Sequence, residues 1–252
     1  MIAFSAHPRA IATTLGLVLA LAPAGARAQV PPREIEYAYP DQSVWTARLG
    51  PAGAPDNPLR RLAAALFDRA GIPWRARSYP AARIFQYLRD GTTDFSMLVK
   101  APALEQCCLV GKRPVAATEV RVYHRRGVSP IRAREDLSGK EVITILGYSY
   151  GGLLSFIKDP ANRVGNSATA THDSAFKMLD RGRADYLLDY AGPAAEVLAA
   201  HPIEALDYDV IERLDVYLVL SRSYPDAEAV LARLEAIADT VHLDGIPRPD
   251  VK

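Results

Sequence analysis

Two stretches of this chain share one pattern. Tyr87-Leu-Arg-Asp-Gly-Thr-Thr-Asp-Phe-Ser-Met-Leu98 and Met178-Leu-Asp-Arg-Gly-Arg-Ala-Asp-Tyr-Leu-Leu-Asp189 align position by position. Each closes an amphipathic helical pattern, stops on a glycine (Gly91, Gly182) and launches an apolar strand from an aspartate (Asp94, Asp185). Glycine suits the position after a helix, where the left-handed conformation would set a side chain against the backbone. Two such helix–Gly–x–x–Asp–strand units predict two similar α/β lobes.

The flanking sequence extends the prediction. Glu34 to Tyr39 is a short strand candidate. Asn57-Pro58 offers a cap and a first-turn proline, and Leu59, Leu62, Ala63, Leu66, Phe67 and Ala70 then keep the spacing of a helix that buries one face. Gly71 ends that helix, and Trp74 to Ser78 is the next strand. Pro80 opens a helix with inner face Ile84, Phe85 and Leu88, and Phe95 to Val99 follows as a strand. This alternation predicts a largely parallel sheet covered by helices.

In the second half, Val120 to His124 is a strand and Arg125 to Arg134 a polar linker. Glu141 to Leu146 is a strand, Tyr150 to Lys158 a helix, Arg163 to Ala170 a weak strand, Asp173 to Arg181 a helix and Tyr186 to Leu188 a strand. Ala191 to Ala200 is helical with an interruption near Gly192-Pro193. Val216 to Leu220 is a strand, and from Pro225 a helix runs to about Leu243. Its core spacing of Val230, Leu234, Ile237 and Val241 is too long for a small second lobe, so it is expected to return to the first.

The first 28 residues differ from the rest. Arg9 precedes an apolar run from Ile11 to Ala22, then Pro23 and Ala26-Arg27-Ala28, the layout of a secretory signal peptide cleaved before Gln29. The run is shorter than the roughly 20 residues a spanning helix needs. Of 30 basic residues two leave with the leader, so 28 face 29 acidic ones. This balance, without a basic run, points away from nucleic acid and anionic membrane surfaces. Cys107 and Cys108 are adjacent. A bridge between neighbours joins Cα atoms only about 3.8 Å apart, and two thiols, at least one of them packed, is the favoured reading. The five histidines (7, 124, 172, 201 and 242) are scattered, so no metal motif or cofactor is expected.

Asp136-Leu-Ser-Gly-Lys-Glu-Val142, then a strand and a Gly-x-Ser turn, resembles the second lobe of type II periplasmic solute-binding proteins, in their amino-acid-binding branch. Tyr79-Pro80-Ala81-Ala82-Arg83, Leu88, Gly91 and Asp94 are similar to the first-lobe pattern, and Gly182-Arg183-Ala184-Asp185 to the second-lobe Gly-Arg-x-Asp. The marks span roughly residues 34 to 220. The resemblance implies an α/β fold of two Rossmann-like lobes joined by two crossing strands: lobe 1 from 29–125 plus 214–252, lobe 2 from 126–213. It implies a small-molecule solute held in the cleft, delivery to the membrane permease of an ABC importer, a periplasmic location and a monomer. A binding protein that serves a sensor or an oxidoreductase instead of a transporter is the alternative.

Under this resemblance the turn Gly147-Tyr148-Ser149-Tyr150 presents backbone N–H groups at a helix start to a carboxylate or other anion. Ser149 adds a hydroxyl, Gly147 allows close approach, and Tyr148 and Tyr150 wall the pocket. Asp189 is a partner for a ligand ammonium, one position early, with Tyr190 in the usual slot; capping the following helix is its bland role. Trp45 and Tyr39 are candidates to stack on a planar or apolar solute. The family's carboxylate-clamping Arg falls at Gln106 here, so Lys100 or Arg113 would have to supply charge without the fork geometry. Arg83 faces the cleft or ties its helix to neighbours.

The same turn also satisfies G-x-S-x-G, the nucleophile elbow of α/β-hydrolases, with Asp215 and His242 following in triad order. Three features oppose a serine hydrolase. No His-Gly oxyanion segment lies upstream, His242 falls inside the last helix, and the two-lobe repeat has no place in that fold. The chain is expected not to be an enzyme.

Overall fold

The computed structural model describes residues 33–51 and 53–242, so the leader expected at 1–28 lies outside the described residues. In chain order the elements are β1 (Ile35–Pro40), α1 (Pro58–Ala70), β2 (Trp74–Tyr79), α2 (Ala81–Asp90), β3 (Phe95–Val99), α3 (Pro102–Glu105) and β4 (Cys108–Arg125). Then come β5 (Glu141–Ile145), α4 (Leu153–Lys158), β6 (Gly165–Thr169), α5 (His172–Asp180), β7 (Tyr186–Tyr190), α6 (Ala191–Ala200), β8 (Leu206–Ser221) and α7 (Ala227–Ala238).

Local chemistry sets the boundaries. Asn57 caps α1 by accepting from Leu59 N at 2.9 Å, and Pro58 occupies the first turn, where no N–H partner is lost. The two glycines of the repeat both take the left-handed conformation, Gly91 at φ 75° and Gly182 at φ 68°. Thr171 caps α5 through Ser174 N.

The strands form one sheet in the order β2-β1-β3-β8-β4-β7-β5-β6. Within each lobe the pairs β1–β2, β1–β3, β5–β6 and β5–β7 are parallel, as the alternation predicts. β4 and β8 run antiparallel to each other over nearly their whole lengths and join the lobes. The last half of β8 pairs with β3, and the last half of β4 pairs with β7. These crossing strands are far longer than the short runs predicted at Val120–His124 and Val216–Leu220. Pro114, which reads as a breaker, sits at a register shift of β4 where the ladder does not need its missing N–H.

Each lobe has its own packed interior. In lobe 1, Ile35, Tyr37 and Tyr39 of β1 meet Leu62, Leu66 and Phe67 of α1, with Leu231 and Leu234 of α7 beside them, so α7 does return to the first lobe. The opposite face holds Ala38, Ile84, Leu88, Leu104 and Val219. Full burial of a Leu or Phe side chain is favourable by about 1.5–3 kcal/mol, enough to fix which stripe of each helix faces the sheet. Lobe 2 packs Val142, Ile143, Phe176, Leu179, Leu187, Leu188 and three tyrosines, 148, 150 and 190.

Four local expectations are corrected. α6 is continuous through Gly192-Pro193, because a first-turn proline costs no helical hydrogen bond. α7 spans Ala227–Ala238, beginning two residues after Pro225 and ending before Val241, which is nonetheless buried. The helix expected from Tyr150 starts at Leu153, preceded by a 3-10 turn at Tyr150–Gly152. Cys107 and Cys108 form a disulfide: the turn joining α3 to β4 brings the sulfurs together with Cα atoms 3.7 Å apart.

Candidate functional site

The Gly147–Gly152 turn follows β5 and is built around its tyrosines. Gly147 (φ 88°), Gly151 (φ 68°) and Gly152 (φ 106°) are left-handed, and so is Tyr150 (φ 50°). Tyr150 is fully buried, stacks on Tyr190 with ring centroids 5.5 Å apart, and its hydroxyl accepts from Ile145 N at 2.8 Å. That anchoring offsets the cost of a non-glycine residue in this region, of order 1–3 kcal/mol. Gly151 lies against β8: a Cβ there would come within 2.7 Å of Glu212 and 2.8 Å of Leu214. The glycines of the motif are thus explained by backbone course and packing.

Ser149 is exposed at an ordinary φ of −97°, and its side chain makes no capping bond to the 3-10 turn it precedes, while the strained residue is Tyr150. A nucleophile elbow would place the strain on the serine. The histidine brought to this turn is His172 at the start of α5, and its Nε2 bonds the Tyr148 hydroxyl (2.9 Å), not Ser149. His172 Nδ1 lies 2.9 Å from both oxygens of Asp189, and Asp189 Oδ1 also accepts from Tyr190 N at 2.7 Å. Asp189 is fully buried. Burial pushes its carboxyl up from the ordinary value, and the His172 and Tyr190 bonds pull it back. Burial likewise pushes the hydroxyls of Tyr148, Tyr150 and Tyr190 up, so all three are neutral donors or acceptors at ordinary pH.

Facing this turn is the loop after β1. Tyr148 donates to the Ser43 carbonyl at 2.9 Å, and the Gln42 amide oxygen approaches Gly147, 3.7 Å from where a Cβ would stand. The loop straddles the two interiors: Trp45 packs against that of lobe 1, Val44 and Ala47 against that of lobe 2. Glu196 of α6 holds it, accepting from Thr46 Oγ1 (2.6 Å), Ala47 N (2.8 Å) and Arg48 N (3.0 Å), with the Arg48 guanidinium 3.2 Å away. A side chain at Gly192 would reach within 2.3 Å of the Trp45 carbonyl oxygen, so glycine there lets α6 abut the loop. Two buried polar atoms among the described residues lack a hydrogen-bond partner, Gln42 Oε1 and Trp45 Nε1, and both belong to this loop.

The structure therefore brings together Gly147, Tyr148, Tyr150, Asp189, Tyr190 and Trp45 of the expected site, but with altered parts. Asp189 is enclosed by His172 and Tyr190. Tyr39 is buried in the lobe 1 interior beneath the Arg60 guanidinium. Lys100, just past β3, is exposed with its ammonium 4.0 Å from the Tyr217 ring centroid, and Arg83 is exposed on α2. Arg113 pairs with Asp239 on the lobe 1 surface. The sequence reading missed His172, Gln42, Ser43 and Glu196. Of these only Glu196 carried a signal, as the sole charged residue of α6.

No protein-family model and no curated protein sequence matches the chain. Solved structures do. A mutant of the arginine-binding protein ArgBP from T. maritima superposes with a TM-score of 0.63 at 16% identity, covering 82% of this chain and 88% of that one. A histidine-kinase sensor domain with similarity to periplasmic binding proteins gives 0.65 at 18%, covering 86% and 99%. The GluR0 ligand-binding core in complex with L-glutamate gives 0.63 at 12%, covering 82% and 93%. These are binding and sensor proteins, and at such identities the likeness is one of fold: the chain has the two-lobed α/β fold of the type II periplasmic binding proteins.

Proposed function

We propose that this chain is an exported, monomeric solute-binding protein of the periplasm, cleaved after Ala28, that captures a small polar or anionic solute and delivers it to the permease of an ABC importer. Lobe 1 is assigned to 29–125 with 214–252 and lobe 2 to 126–213. One observation carries the reading. Among the described residues, the two unpaired buried side-chain polar atoms, an indole N–H donor and an amide oxygen acceptor, lie in one loop that touches both interiors. An unpaired buried group costs about 1–3 kcal/mol, and a polar solute between the lobes would satisfy both. Ser149 and the backbone of Gly147 complete the contact from lobe 2, with Tyr148, Tyr150 and Tyr190 as its wall, and Lys100 past the end of β3 is the candidate positive charge.

The chemistry favours a solute without an ammonium group. Asp189, the expected partner of an ammonium, spends both oxygens on His172 and Tyr190 N. Position 106, where the resemblance sets a carboxylate-clamping arginine, is glutamine. Small carboxylic acids and neutral polar molecules fit better than an α-amino acid. The likeness to a histidine-kinase sensor domain supports a second reading, in which the same capture feeds a signalling partner.

Native mass spectrometry of the purified protein, followed by thermal shifts across small carboxylates, neutral polar molecules and amino acids, tests this. A true solute at 100 times its Kd adds about 2.7 kcal/mol of stability. Trp45→Phe, which removes the indole N–H together with part of the ring that packs on lobe 1, is expected to cost at least about 1 kcal/mol of that affinity. Flat curves for every class would sink the binding reading, and a Ser149-dependent esterase activity would replace it with the hydrolase.

A further inference from the structure

Ser43 O, Tyr148, His172 and Asp189 form a largely buried chain of three hydrogen bonds, and the bond to Ser43 ties lobe 2 to the loop that follows β1. Counting protons shows how the bonds depend on one another. The Ser43 carbonyl only accepts, so Tyr148 must spend its single O–H proton there. The Tyr148–His172 bond then needs a proton on Nε2, and the His172–Asp189 bond needs another between Nδ1 and the carboxylate. All three bonds together require the imidazole and carboxylate to share two protons. With one proton fewer, Nε2 is a bare acceptor. Tyr148 then bonds either His172 or Ser43, and the other acceptor faces an oxygen or nitrogen lone pair at 2.9 Å.

We propose that docking of the Gln42–Arg48 loop onto lobe 2 is proton-linked: the Tyr148–Ser43 bond holds while the His172–Asp189 pair carries two protons and is released when one is lost. Loss of that proton also leaves a net negative charge in a site where Asp189 has no exposed surface, which further disfavours the closed arrangement. The groups that face the chain are Asp41 from the loop itself, Tyr150 and Tyr190 around the turn, Tyr123 from β4 and Glu212 from β8. On the far side, Asp173 beside His172 pairs with Lys177 and lies 3.9 Å from His201. The tyrosines stay neutral, Tyr123 being pushed up to about 12 by burial. Histidine is the side chain that ordinarily changes charge between pH 5 and 8. The Glu196 contacts hold the same loop without this proton, so they set the strength of docking and not its pH dependence.

The test needs no ligand and does not depend on the solute-binding reading. The chain has two tryptophans, and Trp74→Phe leaves Trp45, inside the loop, as the sole reporter. Acrylamide quenching of Trp45 in that protein, scanned from about pH 5 to pH 9, is expected to rise with pH. The docked-to-released ratio should fall by up to about tenfold per pH unit, the slope of one proton. Tyr148→Phe, which keeps the ring but has no hydroxyl to share, is expected to remove the step, and Asp41→Asn and Glu196→Gln to retain it. His172→Gln, which cannot carry the second proton, is likewise expected to remove the step; should it fail to fold, Tyr148→Phe carries the test alone. A flat scan in the parent, a step that survives in Tyr148→Phe, or one that vanishes in Asp41→Asn would overturn the proposal.

Discussion

Asp94 and Asp185 occupy the same place in the two lobes, three residues past a left-handed glycine and just before an interior strand. Their surroundings differ. Asp94 is 4% exposed, accepts from Glu36 N at 2.9 Å and pairs with Arg33 at the mouth of β1. The Asp185 side chain is 61% exposed and meets the Arg125 guanidinium at 3.3 Å, at the end of β4. In lobe 1 the central strand β1 and the residue leading into it bring the Glu36 N–H and the Arg33 guanidinium to the aspartate. In lobe 2 the corresponding strand, β5, is preceded by Lys140, and the cation comes from a crossing strand instead. One motif thus fixes the same backbone course twice, but the neighbour it meets decides whether its acid carries weight.

The sharpest way to break this comparison is to remove both acids. Asp94→Ala is expected to lower the unfolding free energy by about 3 kcal/mol, because it strands a buried N–H and uncouples Arg33. Asp185→Ala should stay within about 0.5 kcal/mol, as for an exposed pair. Equal losses in urea denaturation would mean the lobes are not unequal at this point. The glycines should instead behave alike. Gly91→Ala and Gly182→Ala each force a side chain into the left-handed region at about 1 kcal/mol. A small excess is expected at Gly91, where the Cβ would come within 2.9 Å of a Ser223 hydroxyl held by Ser221, whereas at Gly182 it comes within 2.8 Å of the Arg125 guanidinium, the far end of a long side chain that can shift while keeping its Asp185 contact. The least effect is expected from reducing Cys107–Cys108, a feature of lobe 1 alone. The bridge closes so short a loop that its release should change stability by less than about 1 kcal/mol, read from melting with and without a dithiol.

What the sequence made legible was periodic. The stripe of α1, the glycine stops, the parallel pairs within each lobe and the return of α7 all follow from spacing that local chemistry enforces. The long crossing strands were hidden because Gly111 and Pro114 interrupt the apolar alternation of β4, and only pairing with β8 on the other side restores it. The start of α4 was misplaced because Gly151 and Gly152 are both left-handed, Gly151 where it packs against Glu212 and Leu214, so the α-helix begins only at Leu153. Asp189, expected just past its strand, lies within β7, and its partner lies seventeen residues back on another element. Local pattern carries no trace of that pairing, nor of the loop that Glu196 holds across 149 residues.

The shared strands also set the order in which the molecule can be completed as it is made. The parts of lobe 2 run without interruption from the second half of β4 to the first half of β8. Lobe 1 is stitched from both ends of the chain, for β3 has no partner on one side until Val216 emerges, and α1 no cover until α7 does. At translation rates of about 5–20 residues per second, β3 waits on the order of ten seconds with a bare edge. Such an edge is a template for wrong pairing. The half of the molecule synthesised first is therefore the half finished last.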